Sequence, residues 1–84
     1  MFAKKNITDD GIKNLTKLEN INLSFNDKIT DRGIKNLINL KKINLRSNNK
    51  IRNEGISNKI NLISLNLESN DIIKDSVIKN LTNI

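Results

Sequence analysis

The 84-residue sequence contains no histidine, cysteine, tryptophan or tyrosine. Without imidazole there is no side-chain base poised at neutral pH, and without thiols there is no cysteine nucleophile, zinc–thiolate set or disulfide. The chain is therefore read as no enzyme, with no cofactor, no metal site and no catalytic residue. No apolar run approaches the roughly eighteen residues of a membrane span, and Met1-Phe2-Ala3-Lys4-Lys5-Asn6 lacks the apolar centre of a secretion signal. These absences predict a cytoplasmic or otherwise intracellular chain with no membrane partner, and zero cysteine agrees with a reducing compartment. A pathogen source would allow a host-directed location. A chain this short forms one small domain, residues 1–84, burying about 60 to 65 % of its unfolded surface, so large pockets are not expected.

What is present is basic and strongly biased. Fifteen Lys and Arg against nine Asp and Glu give +6 and a pI near 9.9. That charge raises nucleic acid or another anionic surface as a partner class. Yet the cations are scattered along the chain, and no aromatic residues stand ready to stack on bases, which makes nucleic acid the weaker reading. Asn, Ile and Lys together exceed half of all residues, a bias typical of AT-rich coding sequence. It accounts for much of the basicity, and it makes the four Asn-x-Ser/Thr sequons at Asn6, Asn14, Asn22 and Asn80 chance matches.

Displacing the chain by 22 residues superimposes it on itself: Ile7, Ile29, Ile51 and Ile73 align, as do Ile12, Ile34, Ile56 and Ile78. Further columns hold Leu15, Leu37 and Leu81; Leu18, Leu40, Leu62 and Ile84; Ile21, Ile43 and Leu65; and Leu23, Leu45 and Leu67. Two non-apolar columns accompany them, Asn26, Asn48 and Asn70, and Gly11, Gly33 and Gly55. In Leu40-x-x-Ile43-x-Leu45 the apolar residues alternate with polar ones, the pattern of a short half-buried strand. Ile34 and Leu37, three apart after Thr30-Asp31, share one face of a short helical segment that the Thr and Asp oxygens are expected to cap. Strand, turn, helical segment and turn make one coil, and a lone coil cannot cover its apolar columns. Stacking pairs the strands at about 4.8 Å and joins the columns into one core. Because strands pack closer than helices, the stack is expected to curve with the sheet inside.

The segment Leu18-Glu19-Asn20-Ile21-Asn22-Leu23-Ser24-Phe25-Asn26 and its two successors resemble the leucine-rich repeat pattern L-x-x-L-x-L-x-x-N. The following Ile29-Thr30-Asp31-Arg32-Gly33-Ile34, with Ile7-Thr8-Asp9-Asp10-Gly11-Ile12, is similar to the I-T-D-x-G-L segment of bacterial and F-box-type leucine-rich repeats. The resemblance implies an α/β fold: a right-handed solenoid, or horseshoe, with a short concave parallel sheet and helical segments on the convex side. It implies in addition that the concave sheet binds other proteins. Three full repeats and partial terminal units would span 1–84. The F-box repeats carry cysteine where Asn26, Asn48 and Asn70 stand, so an F-box role is not implied.

Strand alternation assigns the concave, partner-binding positions: Asn20, Asn22 and Ser24; Lys42, Asn44 and Arg46; Ser64, Asn66 and Glu68. The constant Asn22, Asn44, Asn66 column is either a structural amide stack or a ligand-reading one, and the two columns beside it vary. Ile63 stands at the edge where the other repeats have Glu19 and Lys41, and no aromatic anchor is expected on this face. The Asn26, Asn48, Asn70 column is assigned to backbone satisfaction at the turn. The glycines lack phosphate-loop spacing and are read as points of close approach between coils. Asp27, Asn49 and Asp71 are too sparse for calcium.

Three positions break the pattern. Lys59 stands in the Leu15, Leu37, Leu81 column, where an ammonium is costly, and the expectation is that Ile60 turns inward while Lys59 snorkels out. Val77 replaces the recurrent glycine, which predicts that stacking ends or degenerates there. Met1 aligns with the Leu23 column, so the array starts inside a strand unit, and Leu81-Thr82-Asn83-Ile84 stops where another strand would begin. Uncapped ends of that kind invite self-association, or mark a piece of a longer array.

Overall fold

The computed structural model describes residues 1–74, Ile78 and Leu81. Its elements alternate in chain order: α1 (Asp9–Ile12), β1 (Asn20–Asn22), α2 (Asp31–Ile34), β2 (Lys42–Asn44), α3 (Asn53–Ile56) and β3 (Ser64–Asn66). The strands form one parallel sheet in the order β1-β2-β3. Asn20 pairs with Lys42 and Lys42 with Ser64, Ile21 with Ile43 and Ile43 with Leu65, Asn22 with Asn44 and Asn44 with Asn66. The repeat period of the sequence is thus the strand register of the sheet. The ladder runs past the strands, with Leu23 N–H donating to Asn44 O at 2.8 Å and Leu45 N–H to Asn66 O at 2.8 Å.

Between sheet and helical turns lies one apolar core. Ile21, Leu23, Ile43 and Leu45 enter it from the strands, Ile12, Ile34 and Ile56 from the helical turns, and Ile29, Ile51, Leu40 and Leu62 from the connections. Leu65 and Leu67, on the last coil described, are only partly buried. Each helical turn is four residues long, too short to persist alone, so it is held by packing.

The turns after the strands depend on one asparagine each. Asn48 Oδ1 accepts the N–H groups of Lys50 and Ile51, both at 2.9 Å, while its Nδ2 donates to Leu23 O at 2.8 Å and Asn26 O at 3.0 Å in the preceding coil. Asn70 repeats this one coil later, on Leu45 O and Asn48 O, and Asn26 one coil earlier, on Ala3 O, Lys4 O and Ile7 O. The amide therefore closes its own turn and ties it to the coil before, the backbone role expected for this column. Just ahead of it the chain takes a left-handed conformation at Phe25, Ser47 and Ser69, with φ of 62°, 52° and 55°. None of these is glycine, so each coil carries about 1 kcal/mol of backbone cost that the asparagine bonds offset.

The capping expectation is corrected. Thr8, Thr30 and Arg52 occupy the cap positions and make no side-chain cap bond. Instead the first helical residue reaches forward into the next coil. Asp9 accepts the Thr30 N–H at 2.7 Å and the Thr30 hydroxyl at 2.6 Å, Asp31 accepts the Arg52 N–H at 2.8 Å, and Asn53 accepts the Lys74 N–H at 3.1 Å. The carboxylate thus ties its coil to the next one, a link that capping its own helical turn would not make. The glycines make room for it: a Cβ at Gly33 would run into the Asp9 carboxylate, and one at Gly55 into that of Asp31. Close approach is thus confirmed at these two positions. Burial pushes the Asp31 carboxyl up from its ordinary value, against the opposing pull of the Arg52 N–H. Val77, Asp75 and the terminal Thr82-Asn83-Ile84 lie outside the described residues.

Two further expectations are overturned. Lys59 is fully buried, and Ile60 is 68 % exposed. The butyl chain of Lys59 fills the leucine slot, and its ammonium lands on the C-terminal carbonyls of α2, donating to Ile34 O at 2.6 Å and Lys35 O at 3.5 Å, with Asn58 Oδ1 at 2.9 Å as third acceptor. Carbonyls at the end of a helical turn have a lone pair to spare for a cation, so rotation of the turn to bury Ile60 is unnecessary. At the other end Phe2 pairs with Asn22, which puts Ala3, buried, in the Leu23 column in place of Met1. The turn from Ala3 to Ile7 is two residues shorter than that from Leu23 to Ile29, and the strand slips by the same two.

Candidate functional site

Parallel strands that bury Ile21 and Ile43, and partly Leu65, turn the residues on either side away from the core. The nine sequence-predicted residues all reach solvent there: Asn22, Ser24 and Asn44 are half-buried, and Asn20, Lys42, Arg46, Ser64, Asn66 and Glu68 are exposed. The pairing lines them up in rows across the sheet, Asn20-Lys42-Ser64 beside Asn22-Asn44-Asn66. A shallow depression of ≈ 330 Å³ lies over the two rows, lined by them together with Met1, Ile21 and Ile43. The third row, Ser24, Arg46 and Glu68, lies outside it.

The asparagine row is not an amide stack. Each side chain bonds within its own strand: Asn22 Oδ1 accepts the Ser24 N–H at 2.9 Å and the Ser24 hydroxyl at 2.6 Å, Asn44 Oδ1 the Arg46 N–H at 2.9 Å, and Asn66 Oδ1 the Glu68 N–H at 2.9 Å. A backbone N–H can only donate, so the amide oxygen faces it and the NH2 group is turned outward. Among the described residues none of the three NH2 groups has an acceptor within the chain.

Charges on this face divide into held and free. The Arg46 guanidinium stacks 5.6 Å from the centre of the Phe25 ring, and its Nε stands 3.7 Å from Glu68 Oε2. Lys41 faces Glu19 at 3.7 Å on the rim. Lys42, in the middle of the depression, makes no ion pair among the described residues.

Two functional candidates were missed by the sequence reading, and both are aromatic. Phe2 is 59 % exposed beside Asn22, and Phe25 is 51 % exposed against Arg46. The expectation of a face without an aromatic anchor is therefore corrected. Phe25 lies in a loop where alternation has no say, though the left-handed turn that lifts it is coded by the Asn that follows. Phe2 was displaced in the alignment by the short first turn. Ile63 is exposed at the edge of the sheet as expected.

Among the described residues there is no group of Asp and Glu able to hold a metal, and no helix is long and apolar enough to cross a membrane. Comparison with curated proteins returned no match, and neither did comparison with solved structures. A family model described as leucine rich repeat matches residues 14–38 and again 36–58. These are two successive coils, each a connection, a strand, a turn and a helical turn, and together they cover just over half of the sequence. With the repeat, the parallel sheet and the asparagine-closed turns already in place, that match makes the chain a member of the leucine-rich repeat family.

Proposed function

We propose that the chain is a non-enzymatic protein-interaction module that binds a protein partner through the open face of its sheet, the concave side of a right-handed horseshoe. Leucine-rich repeats are in general protein-interaction modules, and curvature toward the sheet follows from strands that stack closer than the helical turns behind them. The observation that carries the reading is the contrast between the two faces. One face of the sheet is sealed by the core, while the other leaves the side chains of Asn20, Lys42 and Ser64 and three side-chain NH2 groups without a partner among the described residues. A surface whose polar groups are already fixed, yet unsatisfied by the chain itself, is suited to a second chain.

The partner is a protein rather than nucleic acid, because Arg46 is engaged by Phe25 and Glu68 and Lys41 faces Glu19, which leaves no continuous basic track across the sheet. Self-association through the end coils belongs to the same reading, since β3 has a neighbour on one side only among the described residues. The test is differential capture. Changing Asn20, Lys42 and Ser64 together to Ala is expected to abolish retention of the cellular partner, and changing Lys13, Lys35 and Ser57 on the helical side to Ala to leave it intact. The opposite pattern would place the interface on the helices and refute the reading.

A further inference from the structure

We propose that the depression over β1, β2 and β3 recognises carboxylates of an acidic segment in the partner protein. The inference rests on the open-face reading above and names the chemistry of what binds there. Its first support is a row of outward-facing donors. Asn22, Asn44 and Asn66 each use their oxygen on their own backbone, which leaves three outward NH2 groups in one row. In register with that row is the Asn20-Lys42-Ser64 row, whose central member carries a cation with no ion partner among the described residues. No acidic side chain lines the depression. The nearest carboxylate of the predicted face, Glu68, is outside it and faces Arg46.

The second support is geometric. Side chains of one row on adjacent strands stand about 4.8 Å apart, so a carboxylate set over Lys42 has Asn20 and Ser64 on either side in its own row and the amide row of Asn22, Asn44 and Asn66 alongside. Carboxylates accept several hydrogen bonds at once and gain most from charged donors, whereas neutral amides on a partner would leave the lysine unpaired. Binding would also require little reorganisation, because the backbone N–H groups of Ser24, Arg46 and Glu68 already fix the three amides.

One substitution separates recognition from folding. Asn44→Asp keeps an oxygen for the Arg46 N–H and replaces the outward donor with a negative oxygen. Asn49→Asp makes the same charge change on an exposed loop. Probes are an octamer of glutamate and its glutamine and lysine counterparts, titrated at low and moderate salt against the full chain, with side-chain NH2 resonances read by NMR. The glutamate octamer is expected to shift the Asn22, Asn44 and Asn66 amide signals. Asn44→Asp should weaken it at least about tenfold, since it sets like charges together, while Asn49→Asp stays within about twofold. Urea midpoints of both variants should match the parent.

Shifts of the same amides by the glutamine or lysine octamer, equal to or larger than those by glutamate, would overturn carboxylate recognition and leave the open-face reading standing. Binding of glutamate that shifts only loop and helical-side lysines would overturn it as well, as would tighter binding of a single-stranded oligonucleotide than of glutamate. Absence of any shift in the three amides with all probes also refutes the inference. The capture experiment above then decides separately whether the open face binds a protein by other means.

Discussion

Asn48 and Asn44 lie on the same coil and recur with the same period, yet the fold treats them differently. Asn48 is buried, and its side chain makes four hydrogen bonds. Asn44 is half-buried, makes one, and turns its NH2 group to solvent. The two lysines divide in the same way: Lys59 is sealed in the core with three acceptors, and Lys42 stands in the open depression with no ion partner among the described residues. Residue type does not decide which polar groups hold a coil together and which stay open to solvent. What decides is whether the neighbouring coil presents backbone groups within reach, and it does so on the turn side of the sheet and not on its open face.

The largest expected effect tests the first pair. Asn48→Ala leaves the Asn26 carbonyl and the N–H groups of Lys50 and Ile51 without partners, removes the second donor of the Leu23 carbonyl, and should lower stability by about 4 kcal/mol. Asn44→Ala exposes its orphaned N–H to water and should cost about 1 kcal/mol or less. Urea unfolding followed by far-ultraviolet circular dichroism measures both. Equal losses would erase the distinction between the columns.

The second pair gives the next effect, with opposite sign. Burial lowers the Lys59 ammonium from its ordinary 10.5 to about 8, against the favourable field of Asp31. At 1.36 kcal/mol per unit that is roughly 3 kcal/mol of penalty at neutral pH. Lys59→Leu restores the residue of the Leu37 and Leu81 column. The Ile34 carbonyl keeps the Leu37 N–H at 3.0 Å, and Asn58, exposed, turns to water. The variant should be more stable by about 2 kcal/mol at pH 7. A less stable variant would mean that the ammonium bonds outweigh its desolvation.

The pH dependence of the parent chain sharpens the same point. Between about 8 and 10.5 Lys59 is largely neutral in the folded state and still protonated in the unfolded one. The unfolded state then binds more protons, so stability rises with pH through that window and levels off above it. From pH 7 to pH 9.5 the gain should be about 2 kcal/mol in the parent, and this component should be missing in Lys59→Leu. A parallel rise in both would assign the effect to other groups.

How far the sequence could carry this follows from the same neighbour rule. The 22-residue period became the register Asn20-Lys42-Ser64 without adjustment, because in a stack every coil repeats its neighbour's backbone. The nine open-face positions were legible for the same reason. Lys59 was misjudged because its acceptors, Ile34 O and Lys35 O, are backbone atoms of another coil and have no signature in the residue types. Asp9 and Asp31 were misjudged alike: a capping sequence looks the same whether the carboxylate meets its own helix or the next coil. For Phe2 a turn shortened by two residues preserves strand alternation and changes only its column, from that of Ser24 to that of Asn22.

The smallest expected effect is the most informative about function. Lys42→Ala removes a cation that touches no partner of its own among the described residues, so the urea midpoint should move by no more than about 0.5 kcal/mol, with no change in the pH profile. The double variant with Lys59→Leu should show the sum of the two single effects, because the side chains lie on opposite sides of the sheet and share no hydrogen-bond or ion partner among the described residues. A departure from additivity above about 1 kcal/mol would mean that the open face and the core are mechanically linked, and that substitutions made to alter binding also alter folding. Additivity would mean that the coil is built in two separable layers. In that case the open face can vary from coil to coil, as Asn20, Lys42 and Ser64 do, while the turn side keeps its asparagine, and that face diversifies without cost to the fold that carries it.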